Sequence, residues 1–178
     1  SDLELAAAYA AIADGGQYRK PVFYTKVTDS KGNVLIDNTE NKATQIFKAS
    51  TASLLTNAME DVLEKGTGVA ARLDNMHAAG KTGTTNEAKD LVFAGFTPYY
   101  TAAIWATYDT HAEFPESDRE FHKHLWAKVM NEIHEGLADM DFETSATVQE
   151  ATICTKTGLL ARSSCPSITE YFAVSDLP

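Results

Sequence analysis

Between Ala79 and Tyr108 the chain carries three strand-like segments in close succession, and no other stretch restricts the possible fold as much. Leu91 to Phe96 and Tyr100 to Tyr108 are rich in β-branched and aromatic residues. Only Thr97-Pro98-Tyr99 separates them, so they read as an antiparallel hairpin. The run Ala79-Gly80-Lys81-Thr82-Gly83-Thr84-Thr85 comes just before and supplies a third strand. Alternate side chains of a strand share a face, which puts Lys81 and Gly83 on one side and Thr82 and Thr84 on the other, unless a bulge at Gly83 intervenes. A cation, hydroxyls and a glycine on one strand suit the carboxylate of a substrate.

Helices are expected around this sheet. Ser1-Asp2-Leu3-Glu4 has capping-box spacing ahead of an alanine-rich helix that should end near Gly15-Gly16. A hairpin of about Val22–Thr28 and Asn33–Asp37 follows, turning through Ser30-Lys31-Gly32-Asn33. A second helix, about Ser50–Lys65, offers Leu54, Leu55, Ala58, Met59, Val62 and Leu63 as its apolar face and stops at Gly66. A third should start in Pro115-Glu116-Ser117-Asp118-Arg119-Glu120, with Ser117 as N-cap. Its buried stripe is expected to be Phe121, Leu125, Val129 and Ile133, with Trp126 and Met130 beside it. The fold class is therefore α/β, an antiparallel sheet flanked by helices. Asp139 to Ser145 is polar and aperiodic and reads as a linker.

Composition excludes several partners. The net charge is −10, from 15 basic and 25 acidic residues, so the chain lacks the basic stripe that nucleic acid would require. No apolar run approaches the roughly 20 residues that span a bilayer. Gly80-Lys81-Thr82 resembles the end of a phosphate-binding loop, but Asn75 stands where that loop needs glycine, and a strand rather than a helix follows. Gly66-Thr67-Gly68-Val69-Ala70-Ala71 matches a loose dinucleotide fingerprint but follows a helix. His122, His124 and His134 do not share a helix face, so no metal site is expected, and solvated or capping roles suit them better. No cofactor is expected.

Lys81-Thr82-Gly83 resembles the Lys-Thr-Gly motif of the serine penicillin-recognising enzymes. The likeness extends in order and spacing through Leu5-Ala6-Ala7-Ala8-Tyr9-Ala10, Asp14-Gly15-Gly16, Gly66-Thr67-Gly68, Ala79 to Thr85 and Ala94-Gly95-Phe96-Thr97-Pro98. Residues 1–138 thereby resemble the C-terminal half of the transpeptidase domain of class A, bifunctional penicillin-binding proteins. No serine here has lysine three residues on or asparagine two residues on, so the nucleophile and its base are absent from this segment. A second triplet, Lys156-Thr157-Gly158, lacks the flanking small residues and threonines and is expected to be a turn.

The resemblance implies a D,D-transpeptidase that cross-links peptidoglycan stem peptides through an acyl-serine and is acylated by β-lactams. It gives catalytic roles to Lys81 and Thr84 and substrate contacts to Thr82, Gly83, Thr84 and Thr85. It implies an anchored enzyme on the extracytoplasmic face of the bacterial membrane, with the other half of the domain as partner. The sheet edge left open without that half invites self-association. Two other readings share the lysine motif: a D,D-carboxypeptidase or β-lactamase, and a non-catalytic binding module. Residues 139–178 resemble the extension that follows this domain, in which Cys154 and Cys165 are free thiols in a reducing compartment or a clip outside the membrane. As a clip they would contribute on the order of 3 kcal/mol in the chain-entropy model.

Overall fold

The computed structural model describes residues 1–178. In chain order its elements are α1 (Asp2–Ala13), β1 (Gln17–Tyr18), β2 (Lys26–Thr28), β3 (Val34–Asp37), β4 (Thr44–Gln45), α2 (Ala49–Glu64), β5 (Ala79–Thr84), β6 (Asp90–Phe96), β7 (Thr101–Thr107), α3 (Phe121–Ile133), β8 (Val148–Cys154) and β9 (Ser167–Ala173), with short 3₁₀ turns between some of them. Strands β5, β6 and β7 form an antiparallel sheet in that order, and Lys81 lies opposite Ala94, Thr82 opposite Phe93 and Gly83 opposite Val92.

The two faces of β6 seed two parts of the core. Phe93 packs edge-on against Trp126 of α3, ring centroids 4.9 Å apart, in a cluster with Leu63, Ala71, Leu73, Met76 and Met130. Phe96 faces the other way, toward Ile12 of α1 and Met59 of α2. Close approach of α3 to the sheet depends on glycine. A Cβ on Gly95 would lie 2.9 Å from Trp126 Cζ2 and 2.9 Å from the Ala79 carbonyl, and one on Gly80 would lie 2.7 Å from Phe93 Cζ.

Several expectations are corrected. On α3 the side turned to the sheet carries His122, Trp126, Ala127 and Met130, whereas Phe121, Leu125, Val129 and Ile133 are 40%, 44%, 48% and 47% exposed. The helix is apolar on two sides, and the sheet chose the side whose indole fits the Gly95 notch. The α3 start is also later than expected. A 3₁₀ turn occupies Glu116–Asp118, and the Ser117 hydroxyl donates to Asp118 instead of capping. On α2 the buried line is Ala52, Thr56, Met59 and Leu63, while Leu55 and Ala58 face outward.

Of the histidines read as solvated or capping, His122 is buried instead, and His134 is buried but does stand at the C-cap of α3. His134 is fixed by its partners: Thr97 Oγ1 accepts from the Tyr99 and Tyr100 amides and lies 2.7 Å from His134 Nε2, and His134 Nδ1 lies 2.6 Å from the Met130 carbonyl. That pattern assigns the ring proton to Nδ1, with Nε2 accepting from the threonine. His122 has no hydrogen-bond partner on either ring nitrogen, and burial, then the neighbouring Lys123 charge, push its pKa down.

The peripheral hairpin β2–β3 turns through Asp29–Gly32, where Asp29 Oδ1 accepts from the Lys31 and Asn33 amides and Gly32 takes φ +85°. β1 and β4 form a small pair absent from the sequence reading. The stretch read as a linker is docked: Phe142 packs on Phe96 at 5.4 Å, the Ser145 amide donates to Ser53 Oγ, and Asp139 accepts from His77. Beyond it, β8 and β9 pair over seven residues each, Cys154 and Cys165 are bridged with Cα atoms 5.6 Å apart, and Lys156-Thr157-Gly158 lies in the connecting turn.

Candidate active site

Strand β5 has β6 as its only strand partner, so its other edge is unpaired. Helix α2 and the core cover the Ala79 end, where Ala79 is fully buried; Lys81 and Thr84 are exposed and Thr82 and Gly83 partly so. The register confirms the alternation: Thr82 shares the face of Phe93, and Lys81 that of Ala94. Lys81 Nζ curls along its own strand to donate to the Thr82 carbonyl at 3.0 Å and to Thr82 Oγ1 at 3.4 Å.

Gly83 differs from the other sheet glycines. A Cβ there would meet only Val92 Cβ, at 3.5 Å, an ordinary contact. Nothing inside the chain requires glycine at this position, so what its missing side chain keeps clear is the space outside the strand.

Thr85 is used differently. Its hydroxyl donates to Asp90 Oδ2 at 3.1 Å and accepts from the Asp90 amide at 2.8 Å, closing the β5–β6 turn. Asp90 also accepts from Trp105 Nε1, and that bond, followed by the one from Thr85, holds its carboxyl below the usual range. Within the turn, Glu87 and Ala88 take φ 64° and 50°, left-handed values for residues with a Cβ. The Phe114 amide donates to the Ala88 carbonyl and helps hold them there.

Two residues without an assigned role stand behind this strand, one touching it and the other touching the first. Thr67, in the loop after α2, places Oγ1 2.7 Å from Thr82 Oγ1. Lys123, on the buried side of α3, donates to the Thr67 carbonyl at 3.0 Å and to Glu120 at 2.6 Å. Thr67 had a signal in its glycine-flanked triplet. Lys123 had none, because it sits in a run of charged and histidine residues that reads as a solvated face. No group of three or more metal-binding side chains occurs.

An edge strand bearing Lys-Thr-Gly-Thr, with a helix over each face of the sheet, has the form of part of a penicillin-binding protein transpeptidase fold. Residues 1–135 match the penicillin-binding protein transpeptidase domain, and residues 145–174 match the penicillin-binding protein 1A C-terminal domain. The chain is 35% identical over 161 residues to penicillin-binding protein 1A of Clostridium perfringens, covering 90% of this chain and 19% of that protein. It is 35% identical over 190 residues to penicillin-binding protein 1A of Clostridium tetani, covering 99% and 23%. The crystal structure of penicillin-binding protein 1A from Haemophilus influenzae superposes with a TM-score of 0.83 at 20% identity, over 100% of this chain and 32% of that one. PonA1 of Mycobacterium tuberculosis, in complex with penicillin V, superposes with a TM-score of 0.69 at 28% identity, over 78% and 39%.

The chain belongs to the penicillin-binding protein transpeptidase family. Within it, the chain corresponds to the carboxyl-terminal part of a class A enzyme of the penicillin-binding protein 1A kind, and it spans about a fifth of the length of those curated relatives.

Proposed function

We propose that this segment supplies the carboxylate-binding strand and half of the oxyanion hole of a serine D,D-transpeptidase that cross-links peptidoglycan. The supporting observation is the open β5 edge, where Gly83 is free of internal packing demands and Lys81, Thr82 and Thr84 are at hand. A stem peptide lies along this edge as an added strand, its terminal carboxylate near the Lys81 ammonium and the hydroxyls of Thr82 and Thr84.

A serine from the rest of the enzyme attacks the carbonyl of the penultimate D-alanine. Its oxygen bonds to the carbonyl carbon, the bond to the last residue's nitrogen breaks, and D-alanine leaves with the proton the serine gave up. An amine from a neighbouring stem then attacks the ester, forming the cross-link and restoring the serine. In both steps negative charge gathers on the carbonyl oxygen, where the Thr84 amide and the serine's own amide stabilise it. A β-lactam follows the first step, but its leaving nitrogen stays tethered and the acyl-enzyme persists.

The same reading places the enzyme on the extracytoplasmic face of the bacterial membrane, a compartment in which the Cys154–Cys165 bridge would persist. It assigns the β7 edge and the outer side of α3 to the remaining part of the domain, and to self-association when this segment is alone.

Fluorescent penicillin tests the proposal on three proteins: the complete enzyme, its Lys81→Ala variant and the segment Ser1–Pro178. Labelling of the unmodified complete enzyme alone is expected. A complete enzyme that stays dark would sink the transpeptidase reading, and a segment that labels would show that it holds a nucleophile of its own.

A further inference from the structure

We propose that Thr67 and Lys123 are positioning residues that set the Thr82 hydroxyl to donate to the substrate carboxylate; the inference rests on the carboxylate role assigned to Thr82 above. Lys123 is 7% exposed, and an ammonium taken out of water is costly unless its donors are met. Methionine would fill the same space without that cost. The position of the charge is therefore informative: Nζ is anchored by Glu120 at 2.6 Å and donates to the Thr67 carbonyl at 3.0 Å.

The loop it grips is held from the opposite side as well. Gly66 and Gly68 press on the last turn of α2, where an added Cβ would come within 2.9 Å of Val62 Cα and 3.0 Å of Val62 Cγ1, and the Gly68 amide donates to the Val62 carbonyl at 2.8 Å. Thr67 is thus clamped between α2 and α3, with its hydroxyl 2.7 Å from that of Thr82.

The direction of this hydroxyl pair follows from what each oxygen must do. Thr82 Oγ1 has one proton. When a carboxylate arrives, that proton must go to it, because an ionised carboxylate only accepts. Thr67 must then donate to Thr82, and Lys81 Nζ, 3.4 Å away, donates to the same oxygen. Two donors feeding one hydroxyl polarise its own O–H toward the anion. The chain Lys123 to Thr67 to Thr82 therefore carries the order of α3 to the recognition point without touching substrate at α3.

The test measures the second-order acylation rate of the complete enzyme by benzylpenicillin and by its methyl ester, which has no carboxylate. Thr67→Val is expected to slow the free acid on the order of tenfold and leave the ester unchanged, with Thr67→Ser restoring the preference. Lys123→Met should reduce the same preference, with Lys123→Arg retaining part of it. Adding Thr67→Val to Thr82→Val should cost nothing further. Equal slowing of acid and ester in Thr67→Val and Lys123→Met, or full additivity with Thr82→Val, would overturn the positioning role and leave Thr82 in place. If Thr82→Val keeps the full preference for the acid, the carboxylate role of Thr82 falls, and this proposal with it. Thr67→Val alters an exposed loop side chain, so the test stands even where Lys123→Met unfolds.

Discussion

Strands β5 and β7 both end the central sheet, and each leaves a row of backbone groups unpaired. The residues on them differ. From Gly80 to Thr84, β5 offers two glycines, two threonines and a lysine, and its outer space is kept clear at Gly83. From Thr101 to Thr107, β7 has no charge, Trp105 is 51% exposed, and α3, which packs over this strand, turns the apolar line Phe121, Leu125, Val129 and Ile133 to solvent. A β5-type edge can hold a peptide by main-chain bonds and release it. A β7-type edge has an apolar surface beside it that only a permanent neighbour would keep dry. One edge suits a ligand and the other suits the rest of a protein.

Replacing Lys81 gives the largest expected contrast between them. In the complete enzyme, Lys81→Ala should lower the acylation rate by a factor of roughly 10² to 10³ with little change in melting temperature, since the side chain contacts only its own strand. A variant that melts early while the remaining folded enzyme acylates normally would make Lys81 a structural edge residue and erase the distinction.

The glycines sharpen it. Gly95→Ala should destabilise by about 1–3 kcal/mol, read from denaturant melts, because Trp126 and the Ala79 carbonyl both stand in the way of its Cβ. Gly83→Ala should leave stability unchanged or slightly raised and slow acylation instead. Equal destabilisation by both would mean that Gly83 serves the fold and leaves the site.

How legible each edge was in the sequence follows the same division. In the central sheet the strand limits came out within a residue or so, as Leu91–Phe96 became Asp90–Phe96 and Tyr100–Tyr108 became Thr101–Thr107, because consecutive hairpin strands are local, whereas in the exposed peripheral hairpin Val22–Thr28 shrank to Lys26–Thr28. The Lys81–Thr84 edge was readable for the same reason, being one short run of residues. Tertiary choices were not. The 3.6-residue period shows that α3 has apolar sides but not which one meets a partner, and the fit of Trp126 over Gly95 decided it. Thr67 reaches Thr82 across 15 residues and Lys123 reaches Thr67 across 56, so no window of sequence contains either contact. Phe142 anchors a stretch whose neighbours are polar, and one aromatic side chain carries no periodicity.

The exposed side of α3 supplies the next prediction. Leu125→Glu together with Val129→Glu should change the melting of the isolated segment by no more than about 0.5 kcal/mol, as surface changes do, and should convert any self-association seen by sedimentation into monomer. In the complete enzyme the same pair should be strongly destabilising, because two carboxylates would then be buried against the neighbouring part of the domain. Tolerance in both settings would show that nothing covers this face and that β7 is as open as β5.

The smallest effect concerns the docked stretch at the far end of the sheet from the β5 edge's open residues. His77 donates its amide to Asp139, and its ring Nδ1 lies 3.0 Å from the same carboxylate, with Asp141 3.6 Å from Nε2. The Asp139 hydrogen bond, reinforced by the charges of Asp139, Asp141 and Glu60, raises the His77 pKa above its ordinary 6.5. A raised histidine value means that the folded state holds its proton more tightly, so the contribution is complete below pH 6.5 and is lost as pH climbs through the raised value. Asp139 is held below its ordinary 3.8, chiefly by the His77 amide and ring, so its part is present above pH 3.8 and is lost as pH falls through the lowered value. Both side chains are about half exposed, so solvent screens the pair and its contribution is small. Protease cleavage within Asp139–Ser145 should therefore be faster at pH 8 than at pH 6, after correction for the protease's own pH profile, and His77→Gln should remove the difference. A pH dependence that survives in His77→Gln would place the sensor elsewhere, while Phe142 on Phe96 would still hold the stretch to the sheet.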